Sequence, residues 1–147
     1  MIVLMCFSAA LAFTVQGLYP SSSTDIRFMT VLLNDGGGYS TTTGIFTCSV
    51  PGLYWFSAAL TKALREKVGD MGNKLSCYIM FNGNTGIEMY ADPVDKNEDG
   101  LTISGSLALH LNRGDKVQVG NCKNAGSFGN FYSTYFSGVL VRPNSCL

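Results

Sequence analysis

The feature that most constrains this chain is a repeated punctuation. Short runs of β-branched, aromatic and aliphatic residues are each stopped, at intervals of eight to twelve residues, by a turn rich in glycine or asparagine. A side-chain period of two, interrupted that often, belongs to strands. An α-helix needs a period of 3.6 sustained over several turns, and no segment here holds one. The strongest stop is Asn82-Gly83, between apolar runs at 75–81 and 85–91. A two-residue type I′ hairpin needs φ > 0 at both central positions, and asparagine and glycine are the residues that tolerate it.

Further runs extend the pattern. Strands are expected at 11–16, 26–33, 45–49, 53–60, 101–111, 116–120 and 131–141. The connecting segments 19–23, 34–38, 61–73, 92–100 and 121–130 read as loops, and Asn112-Arg113-Gly114-Asp115 as a second tight hairpin turn. The run 26–33 is apolar enough to suggest a strand covered on both faces. In 53–60, Tyr54, Phe56 and Ala58 share one face, while Leu53, Trp55 and Ser57 share the other. Trp55 is expected between sheets or where two copies meet, before any role in ligand stacking. With eight to ten such strands, the chain is expected to be all-β: an antiparallel sandwich or jelly roll.

Composition agrees. The 147 residues suit one domain, at 46% hydrophobic, 12% aromatic and only 14% charged. Ten acidic and ten basic side chains balance, with no lysine- or arginine-rich run, which argues against nucleic acid or an anionic membrane as partner. The first charge is Asp25, so the N-terminus is nearly all apolar, yet it is too short to make a comfortable membrane span. Residues 1–10 read either as a signal-peptide remnant or as an N-terminal extension. The apolar run and Ala10-Leu11-Ala12 favour the former, and the missing basic start favours the latter. The domain is expected at 11–143, followed by a tail at 144–147.

Five cysteines (Cys6, Cys48, Cys77, Cys122 and Cys146) include no Cys-x-x-Cys pair, and His110 is the one histidine, so a zinc site is disfavoured. An odd count leaves at least one thiol free or paired between chains. Cys77 and Cys122 are a plausible pair, and spacing alone leaves the connectivity open. Any Ser-His-Asp or Cys-His catalytic arrangement would have to use His110, which sits in an alternating strand where a structural histidine is expected, so catalysis is not expected.

One stretch carries a family resemblance. Phe28, Asn34, Tyr39, Phe46, Gly52, Tyr54 and Phe56 follow in the order and at the intervals of the signature of the complement C1q globular-head family: an aromatic, Asn or Asp, two aromatics, then Gly-x-Tyr-x-Phe. The closing aromatic of that signature is Ala58 here. Ala12-Phe13-Thr14-Val15, Ser104-Gly105-Ser106-Leu107 with Leu111 and Gly114-Asp115-x-Val117, and Tyr135-Phe136-Ser137-Gly138-Val139-Leu140 also resemble parts of the domain. Each signature residue has a structural reason as well. Tyr54 and Phe56 can fill the core, Gly52 after Pro51 suits a turn, and Asn34 can bond the backbone of the glycine turn behind it.

The resemblance implies a ten-stranded jelly roll, shared with tumour-necrosis-factor ligands, that assembles as a homotrimer through flat aromatic and aliphatic faces. The chain has no Gly-x-y repeat, so it resembles the short, stalkless, secreted members. These imply a non-enzymatic recognition protein of innate immunity that binds microbial polysaccharides or sialylated glycans. The other readings are a trimeric ligand for a cell-surface receptor and an extracellular matrix component.

Candidate sites come from loop chemistry. Tyr90, Lys96, Arg113, Asp115, Lys116 and Lys123 lie on or near expected loops, and exposed basic and aromatic groups suit an anionic or sugar ligand. Asp92, Asp95, Glu98 and Asp99 supply the oxygens a Ca²⁺ ion prefers, although a solvated acidic loop is the plainer reading. Arg113-Gly114-Asp115 spells an integrin-binding tripeptide, and a tight turn is again the plainer reading.

Overall fold

A computed structural model describes residues 10–18, 25–63, 74–92, 100–123 and 134–145. They form ten strands: β1 Ala12–Leu18, β2 Phe28–Asp35, β3 Tyr39–Ser40, β4 Ile45–Thr47, β5 Gly52–Ala63, β6 Leu75–Phe81, β7 Asn84–Ala91, β8 Gly100–Leu111, β9 Lys116–Lys123 and β10 Tyr135–Pro143. Two five-stranded sheets result, ordered β2-β1-β10-β5-β8 and β3-β4-β9-β6-β7. Every pairing is antiparallel. The expected all-β jelly roll is therefore the fold.

The core follows from the period of two. Phe13, Phe28, Tyr39, Phe46, Tyr54, Phe56 and Phe136 are all buried between the sheets. Phe13 stacks on Tyr39 and Phe46 and meets Phe136 edge-on, with centroids 4.9–5.3 Å apart. Ala58, where the signature has an aromatic, lies opposite Gly105, and Met89 packs over that glycine. Phe28 N–H donates to the Tyr39 hydroxyl (3.0 Å), which donates back to the Phe28 carbonyl (3.2 Å). One tyrosine thus ties the edge of the first sheet to the start of the second. Burial pushes the Tyr39 and Tyr54 phenols above their ordinary range.

Asn34 behaves as the sequence suggests: its Nδ2 donates to the Tyr39 carbonyl (2.9 Å) and its Oδ1 accepts from Tyr39 N–H (3.1 Å). At Gly52 the reason differs. Its backbone is not among those with positive φ. A Cβ there would lie 2.4 Å from the Arg142 carbonyl oxygen, so close packing of β10 excludes a side chain. In the β6–β7 turn, Asn82 and Gly83 do take positive φ, +48° and +78°.

Several expectations are corrected. The run expected at 26–33 to be covered on both faces is the edge strand β2, where Met29, Val31, Leu32 and Leu33 are exposed in the single chain. Residues 121–123, expected to be loop, continue β9, and Thr61–Ala63, likewise expected to be loop, continue β5. Tyr39–Ser40 is a strand that the pattern did not reveal. Trp55 does not lie between the sheets; it points outward, 47% exposed. His110 is exposed on the same outward side. Cys77 and Cys122 form a disulfide between β6 and β9, and Cys48 is a buried free thiol. Cys6 and Cys146 lie outside the described residues.

Candidate functional site

The two sheets present different outer surfaces. On the first, directly paired residues share a face, so the register generates rows. One row is Ala12, Val139, Trp55, Ala108; the next is Thr14, Ser137, Ser57, Ser106; the next is Gln16, Tyr135, Ala59, Ser104. On β1, β10, β5 and β8 no member of these rows carries a charge; β2 continues the first row with Asp35, at the edge of the sheet. The hydroxyls are satisfied laterally: Thr14 Oγ1 lies 3.0 Å from Ser137 Oγ, Ser57 Oγ lies 3.2 Å from the Tyr135 hydroxyl, and Ser137 Oγ donates to the Phe13 carbonyl (3.0 Å). Trp55 and Val139 stand exposed from this face, and Thr14, Ser137, Ser57 and Tyr135 bond one another in pairs across it. Burying such an uncharged centre against another apolar surface carries no charge-desolvation cost.

The two ends of the sandwich also differ. At one end lie the start of β1, the end of β10 and the short turns 48–51, 82–83 and 112–115. At the other, β1, β5, β7 and β9 end, and β2, β6, β8 and β10 begin. The long connections therefore all leave from one end. Lys62, buried there, has its amine pushed down by desolvation.

The five candidate ligand residues that the structure describes separate between the ends. Arg113, Asp115 and Lys116 lie at the short-turn end. The Asp115 carboxylate is committed to its turn: Oδ1 accepts from Asn82 Nδ2 (3.0 Å) and Oδ2 from Asn112 N–H (2.7 Å). These bonds favour the charged form and hold the carboxyl below its ordinary value. Asn82 Oδ1 accepts from Lys116 N–H (2.8 Å), locking the two turns together. These are the bonds a tight turn makes, as the plainer reading of Arg113-Gly114-Asp115 expects, and they leave the carboxylate exposed.

Tyr90 and Lys123 lie at the long-loop end. Tyr90 pairs with Ser76, which pairs with Lys123, so both candidates share one row of the second sheet. The Tyr90 hydroxyl donates to Asp92 Oδ2 (3.4 Å), which lies 3.3 Å from Lys74 Nζ. The hydrogen bond to Asp92 raises the Lys74 amine. Along the same face, a hydrogen bond to Glu88 raises the Tyr78 phenol. Lys96, Asp95, Glu98 and Asp99 lie outside the described residues. Asp92, the remaining calcium candidate, has the partners just named, and among the described residues no group of three or more metal-ligating side chains is assembled. Sequence reasoning missed Lys74 and Ser76, which only the register brings beside Tyr90, and the uncharged rows of the first sheet, which are scattered along the chain.

Comparisons with known proteins come from sequence and from fold. Residues 6–141 match the family described as the C1q domain. Complement C1q tumor necrosis factor-related protein 2 of Mus musculus is 33% identical over 138 residues, covering 90% of this chain and 43% of that protein. The protein of the same name from Homo sapiens is also 33% identical, covering 90% of this chain and 44% of that protein. A complement C1q subcomponent of Rattus norvegicus is 29% identical, covering 86% of this chain and 47% of that protein. The chain thus spans less than half the length of these relatives. Among solved structures, the globular domain of zebrafish complement 1qA is similar with TM-score 0.67 and 24% identity, covering 92% of this chain and 99% of that one. Murine APRIL gives the same TM-score at 14% identity, covering 90% and 99%, a likeness of fold alone.

Proposed function

Because the chain belongs to the C1q domain family, we propose that it is a secreted, non-enzymatic recognition protein that works as a ring of three copies. The observation that carries this reading is the uncharged outer face of the first sheet, with Trp55, Tyr135 and Val139 exposed on it. At the edge where β7 and β8 pack together, Ile87 is exposed, a second apolar contact point. A face of one copy meeting an edge of the next is a head-to-tail contact, which closes as a ring when its rotation allows. Three copies present three identical ligand sites, so weak single contacts add through effective concentration. Microbial polysaccharides and sialylated glycans fit this mode. Function of this kind needs no bond making, in keeping with a family of ligand and recognition proteins.

A second reading, a trimeric ligand for a cell-surface receptor, is favoured by the relatives named C1q tumor necrosis factor-related protein 2. Particle agglutination tests the first. Wild-type protein is expected to clump bacteria or glycan-coated beads, and Trp55→Glu, which charges the uncharged face, is expected to abolish clumping. No clumping by the wild type, together with saturable binding to cells, would favour the receptor reading.

A further inference from the structure

At the short-turn end, one side chain latches two turns together. Asn82 opens the β6–β7 turn. Its Nδ2 donates to Asp115 Oδ1 (3.0 Å), and its Oδ1 accepts from Lys116 N–H (2.8 Å). Its backbone N–H donates to the Lys116 carbonyl (2.9 Å). The latch therefore needs a donor and an acceptor on one planar group, which a carboxamide supplies. Asn82 is exposed, and with Gly83 it makes the one Asn-Gly pair of the sequence. A Cβ added at Gly83 would meet nothing within 4 Å, so the turn stands in open space.

We infer that Asn82 is a site of deamidation and that this modification undoes the latch. The Gly83 backbone nitrogen attacks Asn82 Cγ, and glycine, with no side chain, leaves that nitrogen approachable. The N–Cγ bond forms, the Cγ–Nδ2 bond breaks, and Nδ2 leaves as ammonia with the proton from Gly83. Water then opens the cyclic imide at either carbonyl, giving aspartate or isoaspartate. The first step waits on the latch, because both polar atoms of the amide are engaged while it is closed. An aspartate at position 82 places an oxygen where Nδ2 was, 3.0 Å from Asp115 Oδ1, and two carboxylates that close oppose each other's ionisation. An isoaspartate adds a carbon to the backbone of a two-residue turn that sets the β6–β7 register. Arg113 and Lys116 are the other charged side chains of the facing turn, the buried Cys48 bonds that turn through its backbone, and residues 82–85 carry no titratable group.

Prolonged incubation of the full chain at mildly alkaline pH, followed by peptide mass spectrometry, tests the site. Asn82 is expected to convert ahead of every other asparagine, and roughly tenfold faster in Asp115→Ala, where opening no longer breaks a charge-assisted hydrogen bond. Urea unfolding tests the consequence. Asn82→Asp is expected to lower the midpoint at neutral pH. The paired carboxylates have a raised native pKa, so the deficit shrinks as pH falls through it and a shared proton restores the donor. Asn82→Asp combined with Asp115→Asn exchanges amide and carboxylate, keeps a donor and an acceptor for every bond of the latch, and is expected to restore the midpoint at neutral pH. No preference for Asn82 in the aged protein, equal rates in wild type and Asp115→Ala, or an exchanged pair no more stable than Asn82→Asp would each overturn the inference.

Discussion

Position 52 accepts no side chain, because the Arg142 carbonyl oxygen would lie 2.4 Å from a Cβ there. Gly52→Ala is therefore expected to lower stability by about 1–3 kcal/mol in urea unfolding, through overpacking rather than lost turn geometry. The sequence pattern singles out this glycine but suggests the wrong cause. The turn at Pro51 is local and visible, whereas the approach of β10 comes from a segment far along the chain. Asn34 was legible for the opposite reason: its partner Tyr39 is five residues away. Asp115 carries a pH prediction. Its native carboxyl titrates below the ordinary value of 3.8, so its contribution is fully present above the unfolded-state value and is lost as pH falls through the native one. Acid unfolding monitored by tryptophan fluorescence is expected to show a loss of stability below about pH 4 that is smaller in Asp115→Asn.

Strand existence was legible, and strand position was not. The β6–β7 hairpin was expected from Asn82-Gly83 alone, and the observed β6, Leu75–Phe81, has the expected bounds. The 26–33 run reads as doubly buried because apolar residues occupy both parities, but only sheet order reveals that β2 lies at an edge. Its exposed Met29, Val31, Leu32 and Leu33 then become part of the association problem rather than of the core. β9 ran past its expected end because Asn121, with φ of +49°, marks an irregularity in the β6–β9 ladder where polar composition suggested a loop. That extension carries Cys122 to Cys77, closing a loop of 45 residues. Cys77→Ala with Cys122→Ala is expected to destabilise the domain by about 2–4 kcal/mol in guanidinium unfolding. An unchanged midpoint would mean that the β6–β9 pairing alone restrains this part of the chain.

For the whole molecule, the distribution of charge separates the surfaces. One outer face lacks charge on β1, β10, β5 and β8 across these rows, with Asp35 of β2 at its margin, and the other carries Glu88, Lys116 and Lys123. The candidate ligand residues were chosen one by one from loops. Of these, only the second sheet brings Tyr90 and Lys123 into one row, while the Asp115 carboxylate belongs to a locked turn. No local pattern encodes such a row, because its members come from three strands. The first face rests on the same kind of register, and the proposed ring of three copies depends on it. Sedimentation velocity at micromolar concentration tests it directly. The wild type is expected at three times the chain mass of 15.8 kDa, and Trp55→Glu and Val139→Glu at the mass of a single chain. A monomeric wild type, or a trimer that both substitutions leave intact, would contradict the assignment of this face.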